Sequence, residues 1–336
     1  MAFGSIVMEE RAPRPVKAKP VSTPVREVQT VTKEPAAPSA GGRKRLEILL
    51  VGRNLALMQE FLCSMNQNMG EALSGQGLAF YTQELASISD IIEKKKRLEQ
   101  YCWSFSDADW RYPEGGEASR TYTFSISPAG SQGQALDLVI RCVTPRGDGT
   151  IPGGQADGVW LLSDGALLYD ERDDYLVALQ DMLDGLSGKG ENAGPVCLIL
   201  SQIERLGHFD GPGALSLLPP KVSARVTALC RERFSAGIPV ALIPVQVYGG
   251  MECAGLDEKH DPLLRIGQNS FYQSYVPDNC QIPCLYTIQA ICAARNTDYF
   301  ADTAESGMMR GIRGHYGSKF GNPQWAPEML QEKEEQ

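Results

Sequence analysis

Short apolar runs alternate with segments of helical periodicity along most of this chain of 336 residues. Four of these runs have the length and the aliphatic composition of strands that are buried on both faces of a sheet. They are LEILLV (46–51), GVWLLS (158–163), PVCLILS (195–201) and PVALIPVQV (239–247). Because buried strands that alternate with helices form parallel sheets, this alternation constrains the fold more than any other feature.

The segments between these runs predict helices, because apolar residues recur in them at helical spacing. The predicted helices are 55–65, 79–101, 170–186, 220–237 and 282–296. Two further strands, 117–127 and 134–143, are joined by a Pro-Ala-Gly turn and predict a hairpin. The sequence therefore predicts an α/β fold with a mostly parallel sheet of about six strands, one of them antiparallel, and helices on both faces.

Composition divides the chain into three parts. Residues 1–45 contain six prolines and no apolar periodicity, which predicts a disordered, basic tail. Residues 46–300 hold the predicted α/β domain, with a long loop at 248–279 before its last helix. Residues 301–336 are rich in Gly, Pro and charged residues, so we expect a poorly ordered C-terminal extension.

Charge is distributed unevenly and excludes some classes of partner. The first 45 residues carry nine Lys and Arg against four Asp and Glu, whereas the remainder carries 23 against 37, a net charge of −14. An acidic body disfavours nucleic acid as a main partner, because phosphate neutralisation needs a basic face. No apolar run approaches the roughly 20 residues of a transmembrane helix, and no secretory signal stands at the N-terminus. We therefore expect a cytoplasmic protein without a transmembrane segment.

Five segments resemble, in order and approximate spacing, the motif regions of small GTPases of the P-loop class. LLVGRNLALMQEFL (49–62) resembles the first strand, phosphate loop and first helix. LDLVIRCVTPRG (136–147) resembles the strand that leads into DTPG, and DGVWLLSD (157–164) resembles the strand after it. GPVCLILSQIERLG (194–207) resembles the strand that ends in NKxD, and PVALIPVQ (239–246) resembles the last strand. The resemblance covers about 46–296 and implies a small-GTPase-like domain.

The phosphate-loop position departs from the family pattern at three chemically important residues. A working loop reads GxxxxGK[ST], in which glycines let backbone N–H groups surround the phosphates, Lys supplies charge and the hydroxyl binds magnesium. Aligned on Gly52, this chain has Leu57 for the second Gly, Met58 for Lys and Gln59 for Ser or Thr. Leu57 restricts the backbone, Met58 brings no charge and Gln59 is a poor replacement for a magnesium-binding hydroxyl. The resemblance therefore implies a degraded nucleotide site.

The other two nucleotide motifs are altered as well. Val143 stands where the family has the magnesium-linked Asp of DTPG, and an additional residue precedes Gly147. At the NKxD position the chain has Ser201, Gln202 and Glu204. By the resemblance, the carboxylate of Glu204 could replace the guanine-binding Asp.

Two arginines offer substitute positive charge. Arg53 follows the first strand and Arg146 follows the DTPG-like strand, so either could contact a phosphate or lie as a solvated surface residue.

An aromatic-rich loop before the last helix is a candidate interface. Phe271, Tyr272 and Tyr275 lie near prolines, and aromatic side chains with a polar end are enriched at protein interfaces. Packing of this loop onto its own domain is the other interpretation.

These observations lead to a pseudo-GTPase as the first hypothesis: a catalytically inactive GTPase-like protein that acts as a protein-binding, regulatory or scaffold subunit. It needs no catalytic residue, metal or cofactor, and an active GTPase is a natural partner. The alternative is a divergent nucleotide-binding GTPase or NTPase that uses GTP and magnesium through non-standard residues. A third hypothesis is an α/β fold unrelated to GTPases, which would be favoured by a strand order in which the strand at 46–51 is not next to the strand at 134–143.

Overall fold

A computed structural model describes most of the predicted domain. The described residues are 44–75, 77–103, 119–129, 136–146, 150–152, 155–165, 173–187, 194–201, 203, 218, 220–234, 238–248, 251–256, 262–266, 275, 277–295 and 328–331. The predicted basic tail lies outside these residues, except for its last two. The predicted domain boundaries stay predictions.

Ten strands and five helices are described. The strands are β1 (Lys44–Gly52), β2 (Leu78–Thr82), β3 (Ser119–Pro128), β4 (Leu136–Val143), β5 (Gly158–Asp164), β6 (Val196–Ser201), β7 (Val240–Pro244), β8 (Met251–Leu256), β9 (Pro262–Ile266) and β10 (Glu328–Gln331). The helices are α1 (Leu55–Ser74), α2 (Leu85–Trp103), α3 (Asp173–Ser187), α4 (Pro220–Arg233) and α5 (Ile282–Arg295).

Eight of these strands form one sheet in the order β10-β7-β6-β5-β1-β4-β3-β2. Strand β1 pairs in parallel with β4 on one side and with β5 on the other, and β5, β6 and β7 continue in parallel. Strand β3 is antiparallel to β4, as the hairpin signal predicts. The α/β class with a mostly parallel sheet is therefore confirmed. Strand β1 lies beside β4, the strand predicted at 134–143. The strand order that would have favoured a fold unrelated to GTPases is therefore not observed.

The sheet has two strands more than predicted, one at each edge. Strand β2 pairs antiparallel with β3, and β10 pairs antiparallel with β7. The prediction of a helix from residue 79 was wrong for residues 79–82, which lie in β2. There Phe80 stacks on Phe124 of β3 with ring centroids 5.3 Å apart. The C-terminal segment, expected to be poorly ordered, contributes β10. The predicted loop at 248–279 contains a separate β8–β9 hairpin, whose irregular register near Gly255 breaks the alternation that signals a strand.

Helices cover both faces of the sheet and enclose two apolar clusters. The first core lies between the sheet and α1, α2 and α5, and contains Met58, Phe61 and Ile288. The second core lies between the sheet and α3 and α4, and contains Leu183 and Val226. Every residue of β6 and β7 is buried, because alternate side chains enter the two cores. This burial explains why both strands are almost entirely aliphatic.

No helix among the described residues combines the length and the apolar character that crossing a membrane requires.

Candidate functional site

The candidate site lies at the carboxyl end of β1. The five parallel strands lie side by side in the order β4, β1, β5, β6 and β7. Counted along the chain, these are the second, first, third, fourth and fifth parallel strands. In sheets of this order, ligands bind beyond the carboxyl ends of the strands, where the direction of the strand order reverses. In this chain that point is the end of β1 at Gly52, beside the end of β5.

Only two residues, Arg53 and Asn54, connect β1 to α1. Asn54 caps the helix: its side-chain oxygen accepts a hydrogen bond from the Ala56 amide at 2.7 Å, and its carbonyl accepts one from the Met58 amide at 3.2 Å. The helix therefore begins at Leu55. A GxxxxGK[ST] loop needs its backbone N–H groups free to surround phosphates, whereas the amides of Ala56 and Met58 already donate to Asn54.

Met58 lies against the end of β1. It is fully buried, and a methyl group added at Gly52 would be 3.0 Å from Met58 Cγ, 3.3 Å from its sulfur and 3.6 Å from Leu162 Cβ of β5. The thioether side chain therefore packs over the junction of β1 and β5, where the ligand crevice of such a sheet is expected. Leu57 is buried as well.

Gln59 is engaged in a polar contact with two other elements. Its amide nitrogen lies 2.9 Å from the Tyr122 hydroxyl of β3 and 3.3 Å from a carboxylate oxygen of Asp90 in α2. The Tyr122 hydroxyl donates to the same oxygen of Asp90 at 2.7 Å. Burial and the bond to Asp90 both raise the pKa of Tyr122, so this hydroxyl stays protonated and remains a donor.

The other two motif positions are also used within the fold. Val143 is buried in the second core and pairs in register with Val51 of β1. Ser201, at the end of β6, is fully buried, and its hydroxyl donates to the carbonyl oxygen of Ser163 at 3.0 Å. Gly147, Gln202 and Glu204 lie outside the described residues.

Arg53 and Arg146 follow the carboxyl ends of the neighbouring strands β1 and β4, and both are exposed. The amide of Arg146 donates to the Thr150 carbonyl at 2.9 Å, which closes a turn after β4. These are the sequence-predicted positions at this edge that present charged side chains to solvent.

Tyr275 is buried against its own domain. Its hydroxyl lies 2.6 Å from that of Ser64 in α1, and the Ser64 hydroxyl is also 2.9 Å from the Val247 carbonyl oxygen. Burial raises the pKa of Tyr275 well above its ordinary value. This geometry favours the second interpretation of the aromatic loop and removes Tyr275 from the candidate interface. Phe271 and Tyr272 lie outside the described residues.

A buried polar stripe on α1 was not recognised from the sequence. Glu60, Ser64 and Asn68 recur every four residues among the buried residues of α1, which are otherwise apolar, and this spacing is the signal that could have revealed the stripe. Glu60 accepts a hydrogen bond from the Tyr248 hydroxyl at 3.0 Å, and Asn68 donates to the Pro277 carbonyl at 2.8 Å. The stripe thereby fixes the chain before and after the β8–β9 region to α1.

The buried thiols are poorly suited to redox or nucleophilic chemistry. Burial raises the pKa of Cys63 and of Cys197 to about 12, so the reactive thiolate is scarce at neutral pH. The Cys280 thiol donates to the Gln246 carbonyl oxygen at 3.3 Å. Among the described residues, no three His, Cys, Asp or Glu side chains come together as a metal site.

Comparison with known proteins gives only distant similarities. No protein-family model matches the chain, and no curated protein matches it. One similar structure is the GTPase-like domain of Ski7 from S. cerevisiae, bound to GDP and inorganic phosphate, at 11% identity and a TM-score of 0.36. Another is GDP-bound aIF5B from Aeropyrum pernix, at 14% identity and a TM-score of 0.28.

These similarities cover 76% and 75% of this chain, which spans 51% and 36% of the two structures, respectively. Both TM-scores are too low to bear on function.

Proposed function

We propose that this chain is a pseudo-GTPase: a GTPase-like domain without catalytic activity that acts as a protein-binding, regulatory or scaffold subunit. The observation that carries the proposal is the packing of Met58 over Gly52, at the start of a helix that begins two residues after β1. A nucleotide phosphate placed there would meet a buried thioether instead of a lysine and free amides.

The residues at the phosphate-loop position make phosphate binding energetically unfavourable. Phosphate recognition in P-loop proteins depends on cations and magnesium, because the phosphates carry several negative charges. Met58 supplies no charge, and the amide of Gln59 is already bonded to Tyr122 and close to Asp90. Binding in the usual manner would require expelling Met58 from the core, and removing a buried side chain of this size costs about 2–5 kcal/mol.

The strand arrangement supports the GTPase-like part of the proposal. The five motif-like segments of the sequence fall on β1, β4, β5, β6 and β7, which are the five adjacent parallel strands. Their carboxyl ends therefore lie along one edge, as a common nucleotide site built from these segments requires.

The alternative is a divergent nucleotide-binding GTPase or NTPase. It is favoured by the positions of Arg53 and Arg146, which are exposed cations at the ends of adjacent strands. Glu204 would then recognise the base in place of the usual Asp.

A thermal-unfolding titration of the full chain separates these two functions. GTP, GDP, ATP and ADP are added to 1 mM, each with and without magnesium, and an active small GTPase is measured in parallel. A nucleotide present at 100 times its Kd would add about 2.7 kcal/mol of stability, or roughly 5–10 °C in Tm. We expect no shift for this chain under any of the conditions.

A saturating shift would contradict the proposal and favour the alternative. The matched control is then Arg53→Ala combined with Arg146→Ala. Both residues are exposed, so the double variant should fold normally and lose the shift if these arginines hold the phosphates.

The partner is proposed to be a protein, with an active GTPase as the first to test. Purified small GTPase, loaded with GDP or with a non-hydrolysable GTP analogue, is titrated into the full chain by calorimetry. Phe271 and Tyr272 remain the proposed contact residues. We expect Phe271→Ser combined with Tyr272→Ser to weaken binding at least about tenfold, the effect of one hot-spot residue of about 1.4 kcal/mol.

A further inference from the structure

We propose that Gln59, Asp90, Arg120 and Tyr122, here named the Asp90 cluster, form a clamp that holds α2 and the beginning of β3 to α1 without a nucleotide. The inference rests on the proposed function, because Gln59 occupies the position that the resemblance assigns to a magnesium-binding hydroxyl. It adds a conformational role: the clamp takes the place of a ligand-dependent contact.

The geometry joins three separate elements at one carboxylate oxygen. Asp90 of α2 receives the Tyr122 hydroxyl at 2.7 Å and the Arg120 guanidinium at 2.9 Å on the same oxygen atom, and both donors belong to β3. The Gln59 amide of α1 bonds to the Tyr122 hydroxyl at 2.9 Å and lies 3.3 Å from that oxygen. Removing the Asp90 carboxylate would leave the Tyr122 hydroxyl and the Arg120 guanidinium without this acceptor, whereas removing Gln59 would take from Tyr122 only one donor.

The charges in the cluster balance each other. The Arg120 guanidinium pairs with Asp90 and lies 5.8 Å from the centre of the Tyr122 ring. The side chains of Arg120 and Asp90 are 31% and 19% exposed, so their attraction is less screened than that of a fully exposed pair. The chain itself therefore supplies both the cation and the anion of this contact, whereas a nucleotide switch takes them from magnesium and phosphate.

Helix α2 depends on the cluster because its apolar attachment is narrow. Where its burial is described, the buried residues of α2 are Ser87, Ile91 and Leu98, whereas Leu85 and Ile92 are 85% and 51% exposed. Such a narrow stripe gives little hydrophobic stabilisation. The contact of Asp90 with α1 and β3 thus accounts for much of what fixes the first half of α2.

A clamp of this kind has a definite consequence for switching. In nucleotide switches, segments near the phosphates are ordered by magnesium and the γ-phosphate and released after hydrolysis. A ligand shifts such an equilibrium only by its different affinity for the two states. Because the Asp90 cluster is made of the chain's own residues, the arrangement of α1, α2 and β3 should be independent of the nucleotide pool.

The test is hydrogen exchange measured by mass spectrometry on the full chain. The variant is Asp90→Asn, which weakens the pair with Arg120 while preserving shape. The matched control is Asp184→Asn, which weakens the Arg233–Asp184 pair of α4 and α3, 2.7 Å long and with side chains 32% and 42% exposed. We expect amides of α2 and of residues 120–122 to exchange about tenfold faster in Asp90→Asn only, with β6 and α4 unchanged.

A second variant keeps the test informative if Asp90→Asn folds poorly. Tyr122→Phe removes a single hydroxyl, and we expect a smaller acceleration in the same peptides. Unchanged exchange of α2 and β3 in both variants would overturn the clamp. Increased protection of these segments by GTP and magnesium in the wild-type chain would overturn it too. A nucleotide that raises Tm without changing this protection would refute the pseudo-GTPase proposal and leave the clamp intact.

Discussion

Strands β6 and β3 belong to the same sheet, yet their sequences follow different rules. Strand β6 (VCLILS) is buried on both faces, with Leu198 in the second core and Ile199 in the first. In β3 the residues toward the first core are Tyr122, Phe124 and Ile126, and those between them are Ser or Thr. The two patterns arise because helices cover both faces at β6, whereas β3 has one apolar face and one polar face.

This difference teaches where substitutions matter. In β6 every position is a core position, so a sequence change on either face should disturb packing. In β3 the loss of stability caused by a substitution should alternate between large and small with a period of two residues. Substitutions in the two strands test this difference, and we give them in order of decreasing expected change in stability.

In β3, Phe124→Ala should destabilise the fold by about 3–5 kcal/mol, because it empties a fully buried aromatic site that also stacks on Phe80. The control on the other face is Thr121→Val, which keeps the branched shape of an exposed residue and should stay within about 0.5 kcal/mol. Urea unfolding followed by circular dichroism measures both. Equal losses would show that the face of β3 bearing Thr121 contributes as much to packing as the face bearing Phe124.

In β6, Leu198→Ala and Ile199→Ala should each cost about 2–5 kcal/mol, although their side chains point to opposite faces. The same unfolding experiment compares them. A large loss at one position with a negligible loss at its neighbour would contradict the two-core description of the parallel strands.

The polar face of β3 is held by a carboxylate. The Ser125 hydroxyl and the Gln83 amide donate to one oxygen of Asp137 at 2.5 and 2.6 Å. Asp137→Ala would leave the fully buried Ser125 hydroxyl without this acceptor, at a cost of about 1–3 kcal/mol. Asp137→Asn keeps an acceptor oxygen and should cost less. If both variants unfold at the same urea concentration as the wild type, the face is stabilised by other contacts.

The ionisation of the buried Glu60 carboxyl should make the stability of the fold depend on pH. Burial raises the pKa of this carboxyl above its ordinary value of 4.5. The folded state therefore binds the proton more tightly than the unfolded state, and stability is lost as pH rises from 4.5 through the folded value. In Glu60→Gln this loss should be absent, so the variant gains stability relative to the wild type at neutral pH but not below pH 4.5. A parallel pH profile for both proteins would be inconsistent with a buried titrating carboxyl.

The sequence predicts the parallel part of the sheet well, because each of its strands is a dense aliphatic run. Strand β2 was missed because only two residues separate it from α2, so its residues 79–82 fall within the predicted helix at 79–101. Strand β10 was missed because a four-residue segment of mixed composition carries no periodicity. Its existence depends on the edge of β7, a tertiary effect that local pattern does not contain.

The site at the end of the first strand stays a prediction, and the contacts that the structure shows there were only partly predictable from the sequence. The departures of Leu57, Met58 and Gln59 from the phosphate-loop pattern are visible in the sequence. The packing of Met58 on Gly52 is not visible in the sequence, because it depends on where α1 begins. The Asp90 cluster is also hidden in the sequence, since Gln59 and Tyr122 are separated by 63 positions.

The pairing of β10 with β7 bears on how this chain tolerates shortening. A protein ending at residue 300, the boundary suggested by composition, would lack β10 and leave β7 as the last strand of the sheet. All five residues of β7 are buried in the intact fold, so the truncated molecule would offer an unprotected aliphatic edge with unpaired backbone groups. Such edges recruit strands from other molecules. We therefore expect the shortened protein to precipitate or form oligomers, even though it retains every strand of the parallel core.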